Sequence, residues 1–274
     1  MKSLIRLTQF TRSDLEKIFQ IADDILQYAG FLNGKTVVMF FPGSSIRTRI
    51  TFEKGIYLLG GQSVLFPPET LEKKERTEDV CGYLNNWADM VIVRYKDICM
   101  LERMASCLKV PLINAMTDDN HPCEMLSDLY SLSKTRPDYL NDRYLFVGPE
   151  GNIGKAWKEA SEAFGFQLTQ CCPQAYRMPG VAYEEDPEKA FAGKDVVCTD
   201  SLPEKIRADF AGWQITADRM GRANPGVCLN PCPPFYRGEE VSEDAMSSAA
   251  FVGYEFKKSL LAVQQAIMIY CMEN

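Results

Sequence analysis

Eight short apolar runs recur along this chain with helix-spaced stretches between them, and no other feature narrows the fold so far. The runs are TVVMFF, QSVLF, MVIV and PLINA, then YLFVG, FQLTQCC, DVVCT and VCLN. Each is short, and most are nearly continuous in apolar residues, as strands buried on both faces are. Between them lie stretches such as 152–164, and Ile50, Lys54, Tyr57 and Leu58 recur at helical spacing. Strand and helix in alternation predict parallel sheets covered on both faces, the α/β class. With 274 residues the chain has room for one large α/β unit or two moderate ones. The polar, proline-containing stretch SKTRPDYLNDRY falls in mid-chain and is the expected boundary. A last helix is expected over roughly 254–271.

Composition excludes several classes. A net charge of −7 argues against nucleic acid or an anionic membrane as the main partner, although local donors can still hold an anionic metabolite. No run reaches membrane-spanning length, and the first residues carry no long apolar segment of the secretory kind. The ten cysteines include no C-x-x-C pair, and Cys228-x3-Cys232 has no second ligand pair, which argues against zinc. Free thiols in a reducing cytoplasm are the expectation.

One loop concentrates anion-binding chemistry. FPGSSIRTR leaves the first buried strand at Phe41, turns through Pro42 and Gly43, and enters a helix near Ile46 that ends at Gly60 and Gly61. Ligands of parallel sheets sit at the carboxyl ends of strands, and a helix beginning there offers free N–H groups to an anion. Ser45 and Thr48 add hydroxyls, and Arg47 can grip phosphate oxygens in pairs. The plainer reading is that Ser44 or Ser45 caps the helix and the arginines are solvated. The loop lacks the G-K-[ST] of a Walker motif. Gly148, Gly151 and Gly154 have the wrong spacing for a dinucleotide fingerprint, and no acid follows the next strand to hold a ribose.

SIRTRITFE resembles the S-T-R-T-R-x-S-F-E signature of the aspartate and ornithine carbamoyltransferases. Four further segments are similar to that family in the same order. WADMVIVR ends in Arg94, HPCEMLSDLYSL resembles H-P-x-Q-x-L-x-D-L, and VGPEGNIGKAWKEASEAFG resembles the opening of the second domain in ornithine-type members. NPCPPFYRGEEVS resembles the late H-C-L-P or H-P-L-P segment. The resemblance implies two parallel-sheet α/β domains, the second containing a deep knot. Residues 1–135, with a C-terminal helix over 254–274, would form a carbamoyl phosphate-binding domain. Residues 136–253 would form an amine- or amino-acid-binding domain. It implies a cytoplasmic homotrimer with sites near subunit interfaces, and neither metal nor organic cofactor.

By the same resemblance, Ser45, Arg47, Thr48 and the backbone at Ile46 hold the phosphate of carbamoyl phosphate. Arg94, His121 and Thr48 face the carbamoyl oxygen, and position 124 faces the carbamoyl nitrogen. Lys73 or Lys74 reaches a neighbouring subunit's site, or belongs to a solvated charge run. Asn152 and Asp200 would bind the acceptor's amino-acid end, with the carbonyls of Pro231 and Cys232 beside the attacking amine.

The chain departs from the family at Ile46 (usually Thr), at Glu124 (usually Gln) and at Asn230–Pro233 in place of H-C-L-P. The loop after Asp200 reads DSLPEKIRADF, without the Ser-Met-Gly of ornithine enzymes. A carboxylate at 124 should cost binding of a dianionic donor unless it is paired, with Arg94 as one candidate partner, or protonated; otherwise the site takes a different donor or none. The family's late arginine has only Lys257 or Lys258 near its place. Three functional readings follow: transfer to ornithine or an ornithine-like amino acid or diamine, transfer to aspartate, and a carbamoyltransferase-like binding or regulatory protein without turnover.

Overall fold

The computed structural model describes residues 1–274, which divide into two compact α/β units: 1–131 with 257–274, and 132–256.

In the first unit the chain runs through α1 (Arg12–Asp23), β1 (Thr36–Phe40), α2 (Arg47–Leu58), β2 (Gln62–Phe66) and α3 (Thr77–Trp87). It continues through β3 (Met90–Arg94), α4 (Ile98–Cys107), β4 (Leu112–Met116) and α5 (Pro122–Thr135), the last of which crosses into the second unit. The four strands form one parallel sheet in the order β2-β1-β3-β4. Central strands β1 and β3 are buried almost throughout, which explains their unbroken apolar sequence, whereas edge strand β2 is exposed at Gln62 and Phe66. On one face Val38, Phe40, Val91 and Val93 pack with Leu101 and Met104 of α4.

The second unit contains β5 (Arg143–Val147), α6 (Asn152–Phe164), β6 (Gln167–Cys171), β7 (Ala182–Tyr183) and α7 (Pro187–Ala190). It continues through β8 (Val196–Thr199), α8 (Ala217–Met220), β9 (Cys228–Pro231), α9 (Glu243–Met246) and α10 (Gly253–Phe256). Its five strands are also all parallel, in the order β7-β6-β5-β8-β9. Helix α6 ends at Gly165, whose φ of 83° is the left-handed conformation of a helix-terminating glycine.

The chain then returns to the first unit through a 3-10 turn, Lys257–Ser259, and a final helix α11 (Leu260–Glu273). The single helix expected over roughly 254–271 is therefore three pieces. Only the part beyond 260 is apolar enough to be buried on all sides, from Val263 to Cys271. Helix α11 packs on α1 and α2. Gly55 marks the close approach to α2, because a Cβ there would stand 3.0 Å from Gln265 Cγ and 3.4 Å from Met268 Cε. All ten cysteines are free thiols, most of them buried.

Candidate active site

The loop after β1 delivers an open helix start to the carboxyl edge of the first sheet. Ser45 N–H closes a turn onto Pro42 O at 3.0 Å. Ile46 is the residue preceding α2, its backbone is already helical, and no side chain caps the helix. The simple serine-cap reading therefore does not describe this loop. The first turn of α2 contains no acidic residue, so its N–H groups and the positive end of its dipole remain available to an anion.

The serine hydroxyl has a different partner. Ser45 is 3% exposed, and its Oγ accepts from Arg94 Nη1 at 3.1 Å, with Thr48 Oγ1 at 3.4 Å from the same nitrogen. Arg94 ends β3, the strand beside β1, so parallel pairing brings its guanidinium to the start of α2. The sheet register shifts between Val93 and Arg94. Arg47 is exposed at the helix start, and the Ile46 side chain is 65% exposed. Arg49 pairs with Glu53 one turn on, at 2.9 Å, and so serves the helix.

His121 enters from the loop after β4, which a buried amide network holds. Asn114 Nδ2 donates to Asn120 Oδ1 at 2.6 Å and also to Ile5 O, while Asn120 N–H donates to Thr117 Oγ1. Neither asparagine is among the residues expected from sequence; Asn114 stands out as a polar residue inside an otherwise apolar strand, whereas Asn120 lies in the loop beyond it and has no such signal. His121 is 6% exposed and its Nδ1 has no hydrogen-bond partner. Burial pushes its pKa down to about 4; the Glu124 carboxylate opposes the shift, and Arg94 and Lys257 reinforce it. The ring is therefore neutral near pH 7.

Glu124 is buried on the first turn of α5, and its partner is Lys257. The ammonium donates to Glu124 Oε1 at 2.9 Å and to both oxygens of Asp128, at 2.6 and 2.8 Å. Arg94, the candidate partner from sequence, is instead directed to Ser45 and Thr48. Glu124 and Asp128 are one turn apart on one helix, so a single ammonium can satisfy both. Burial works against the Glu124 charge, but neighbouring positive groups, Lys257 foremost, outweigh it and hold the carboxyl below its usual range. Of the two lysines that could stand for the family's late arginine, Lys257 is the one on these carboxylates.

In the second unit the acceptor candidates share one sheet edge. Asn152 begins α6 just beyond β5, and its Oδ1 accepts from Ile153 N–H at 3.0 Å. Asp200 follows β8, and its Oδ1 accepts from Ser201 N–H at 2.9 Å. Pro231 ends β9, where it pairs in register with Thr199, and Cys232 N–H donates to Thr199 O at 2.9 Å. Strands β5, β8 and β9 are neighbours, so these residues lie along one carboxyl edge. Lys73 and Lys74 are exposed after β2, and neither has an ion-pair partner within the chain.

Comparison with known proteins identifies the family. Residues 2–134 match the family model for the aspartate/ornithine carbamoyltransferase carbamoyl-P binding domain, and residues 141–271 match that for the Asp/Orn binding domain. The ornithine carbamoyltransferase of Syntrophotalea carbinolica is 31% identical, with 99% of each chain covered. Among solved structures, the ornithine carbamoyltransferase of Burkholderia thailandensis superposes with a TM-score of 0.92 at 26% identity, covering 99% of both chains. That of Pyrococcus furiosus gives the same TM-score and identity, covering 100% of this chain and 97% of the other. With both domain models matched in order, the chain belongs to the aspartate/ornithine carbamoyltransferase family.

Proposed function

We propose that the protein transfers the carbamoyl group of carbamoyl phosphate to the amine of ornithine. The observation that carries this reading is the arrangement of Arg94, Ser45 and Thr48 around the uncapped start of α2. It supplies backbone N–H groups, two hydroxyls and a guanidinium in one place, as an acyl phosphate with a polarised carbonyl requires.

In this reading Ser45, Arg47, Thr48 and the N–H of Ile46 bind the phosphate. Arg94, Thr48 and His121 donate to the carbamoyl oxygen, where charge builds as the amine attacks. Donors fixed in advance stabilise that charge more in the transition state than in the ground state. A neutral His121 can donate one hydrogen bond without bringing a second cation to the site. Glu124 accepts from the carbamoyl NH2. Asn152 and Asp200 hold the amino-acid end of ornithine, and the carbonyls of Pro231 and Cys232 orient its reacting amine. The bond to phosphate breaks as the C–N bond forms, and the amine's proton leaves with phosphate or water, so no dedicated base is required. The amine attacks in its neutral form.

The same reading includes a cytoplasmic homotrimer in which Lys73 or Lys74 completes a neighbour's site. The lack of any intrachain ion pair at these lysines supports it. The pairing of Glu124 with Lys257 weighs against one of the three departures behind the binding-protein alternative, an unpartnered carboxylate at 124; Ile46 and the loop after Asp200 still stand for it.

Incubation with carbamoyl phosphate and, separately, ornithine, putrescine, N-acetylornithine and aspartate tests the proposal. Ureido product from ornithine is the expected result. Product from aspartate alone, or from none of the four, would overturn it.

A further inference from the structure

The motif position filled by Glu124 raises an electrostatic difficulty that the rest of the site does not solve. A carboxylate beside a bound phosphate should repel it unless its charge is compensated. The chain supplies the compensation from a distant segment. Lys257 is 133 residues from Glu124 in sequence, and its Nζ lies within 3 Å of Glu124 Oε1 and of both Asp128 oxygens. The two carboxylates are nearly inaccessible, with side chains 7% and 2% exposed. Lys257 uses only one Glu124 oxygen, and no donor of the chain bonds the other.

We propose that Lys257 is a positioning residue that locks Glu124 as an ionised, acceptor-only group, so that its second oxygen can take an N–H from the carbamoyl donor. The proposal rests on the carbamoyl-transfer reading above. Glutamine at this position can present either a donor or an acceptor and carries no charge. Glutamate presents an acceptor only, provided that it stays ionised, and the Lys257 bridge provides that condition. Two carboxylates and one ammonium leave the cluster at −1, which the guanidinium groups of Arg47 and Arg94 can offset. The titratable groups around Glu124 come from several elements: Asp128 and Cys123 from α5, His121 just before it, Arg47 from α2, and Lys257 from the 3-10 turn. Of these only Lys257 is a cation bonded to Glu124.

The bridge also explains why a lysine suffices here. Its three donors match three acceptor oxygens, two on Asp128 and one on Glu124. Without the ammonium, two buried carboxylates one turn apart could not both remain charged, and one would take up a proton. A protonated Glu124 offers an O–H where the donor's N–H needs a lone pair, and binding fails.

The experiment is a double-variant cycle with a spectroscopic arm. Lys257→Met raises KM for carbamoyl phosphate by about tenfold at pH 7, with a smaller change in kcat, and KM recovers as pH rises and Glu124 ionises again. In the Glu124→Gln background the same Lys257→Met change moves KM by less than about threefold, because no carboxylate is left to neutralise. Lys257→Arg keeps the cation and stays near the wild type. An equal penalty for Lys257→Met in both backgrounds would show that Lys257 is merely structural and overturn the proposal. The spectroscopic arm follows the side-chain 13C resonance of Glu124 in labelled protein against pH. In the wild type it titrates below the ordinary glutamate range. A wild-type Glu124 that titrates within or above that range overturns the proposal, even where Lys257→Met does not fold. If the wild type forms no ureido product from any amine, the transfer reading fails while the resonance still decides the bridge.

Discussion

His121 joins chemistry and stability in one side chain. Burial lowers its pKa from the usual 6.5 to about 4, so the folded protein keeps it neutral across the pH range in which an unfolded chain would protonate it. The unfolded state thus binds more protons between these two values, and stability must fall as pH falls through that window. The loss on going from pH 7 to 4.5 is on the order of 2–3 kcal/mol from this residue alone. His121→Gln should remove that part of the acid sensitivity, so its urea midpoint should change less than the wild type's between the two pH values. Identical shifts in both proteins would refute the assignment. Arg94 makes a different contribution. It contacts Ser45 and Thr48 at the helix start, and in the proposed transfer mechanism it would meet the growing negative charge. Arg94→Ala should therefore lower kcat/KM by roughly 100- to 1000-fold while leaving the unfolding midpoint nearly unchanged. A loss confined to KM would mean that Arg94 binds the ground state only.

Helix α11 holds the first unit together at the level of elements. It is buried from Val263 to Cys271 and packs on both α1 and α2, so its stability comes from apolar burial on every side. Ile267 is fully buried, and Ile267→Ala should cost about 2–5 kcal/mol, measured by chemical denaturation. A cost below 1 kcal/mol would mean that the helix is not docked. Gly55→Leu should damage the same contact from the α2 side, since even a Cβ there is tight against Gln265. The sequence disclosed such elements unevenly. All eight apolar runs contain strands, and the clearest are β1 and β3, where burial on both faces writes itself as nearly unbroken hydrophobicity. β7 has only two residues, too few to show a period. The helix expected from about 254 runs unbroken only from Leu260, because Gly253 takes a left-handed φ of 74° and a 3-10 turn at Lys257–Ser259 interrupts the segment. The anion-binding character of the loop before α2 is legible because its candidate donors are neighbours in sequence. The Lys257 bridge was not, since no local pattern can report a partner 133 residues away.

At the scale of the whole molecule, the net charge of −7 is spread over a chain whose proposed substrate is itself an anion. Specific donors must therefore prevail over the average field, and they are few: the start of α2, Arg47, Arg94, and the exposed Lys73 and Lys74. The last two lie after edge strand β2 and have no partner within the chain. If they complete a neighbouring subunit's site, two kinds of inactive variant should complement each other. One variant carries Arg47→Ala and so has a defective helix start. The other carries Lys73→Ala and Lys74→Ala and so has a defective loop. In a random mixed assembly, a site formed by an intact helix start on one subunit and an intact loop on the next arises about one time in four. Co-refolded equimolar protein should thus recover about a quarter of wild-type activity, where each variant alone has almost none. The recovery should require subunit exchange and disappear when the two pools are mixed after assembly. Full activity of the double-lysine variant by itself would place all the phosphate donors within one chain, and the assembly would then have no part in the chemistry.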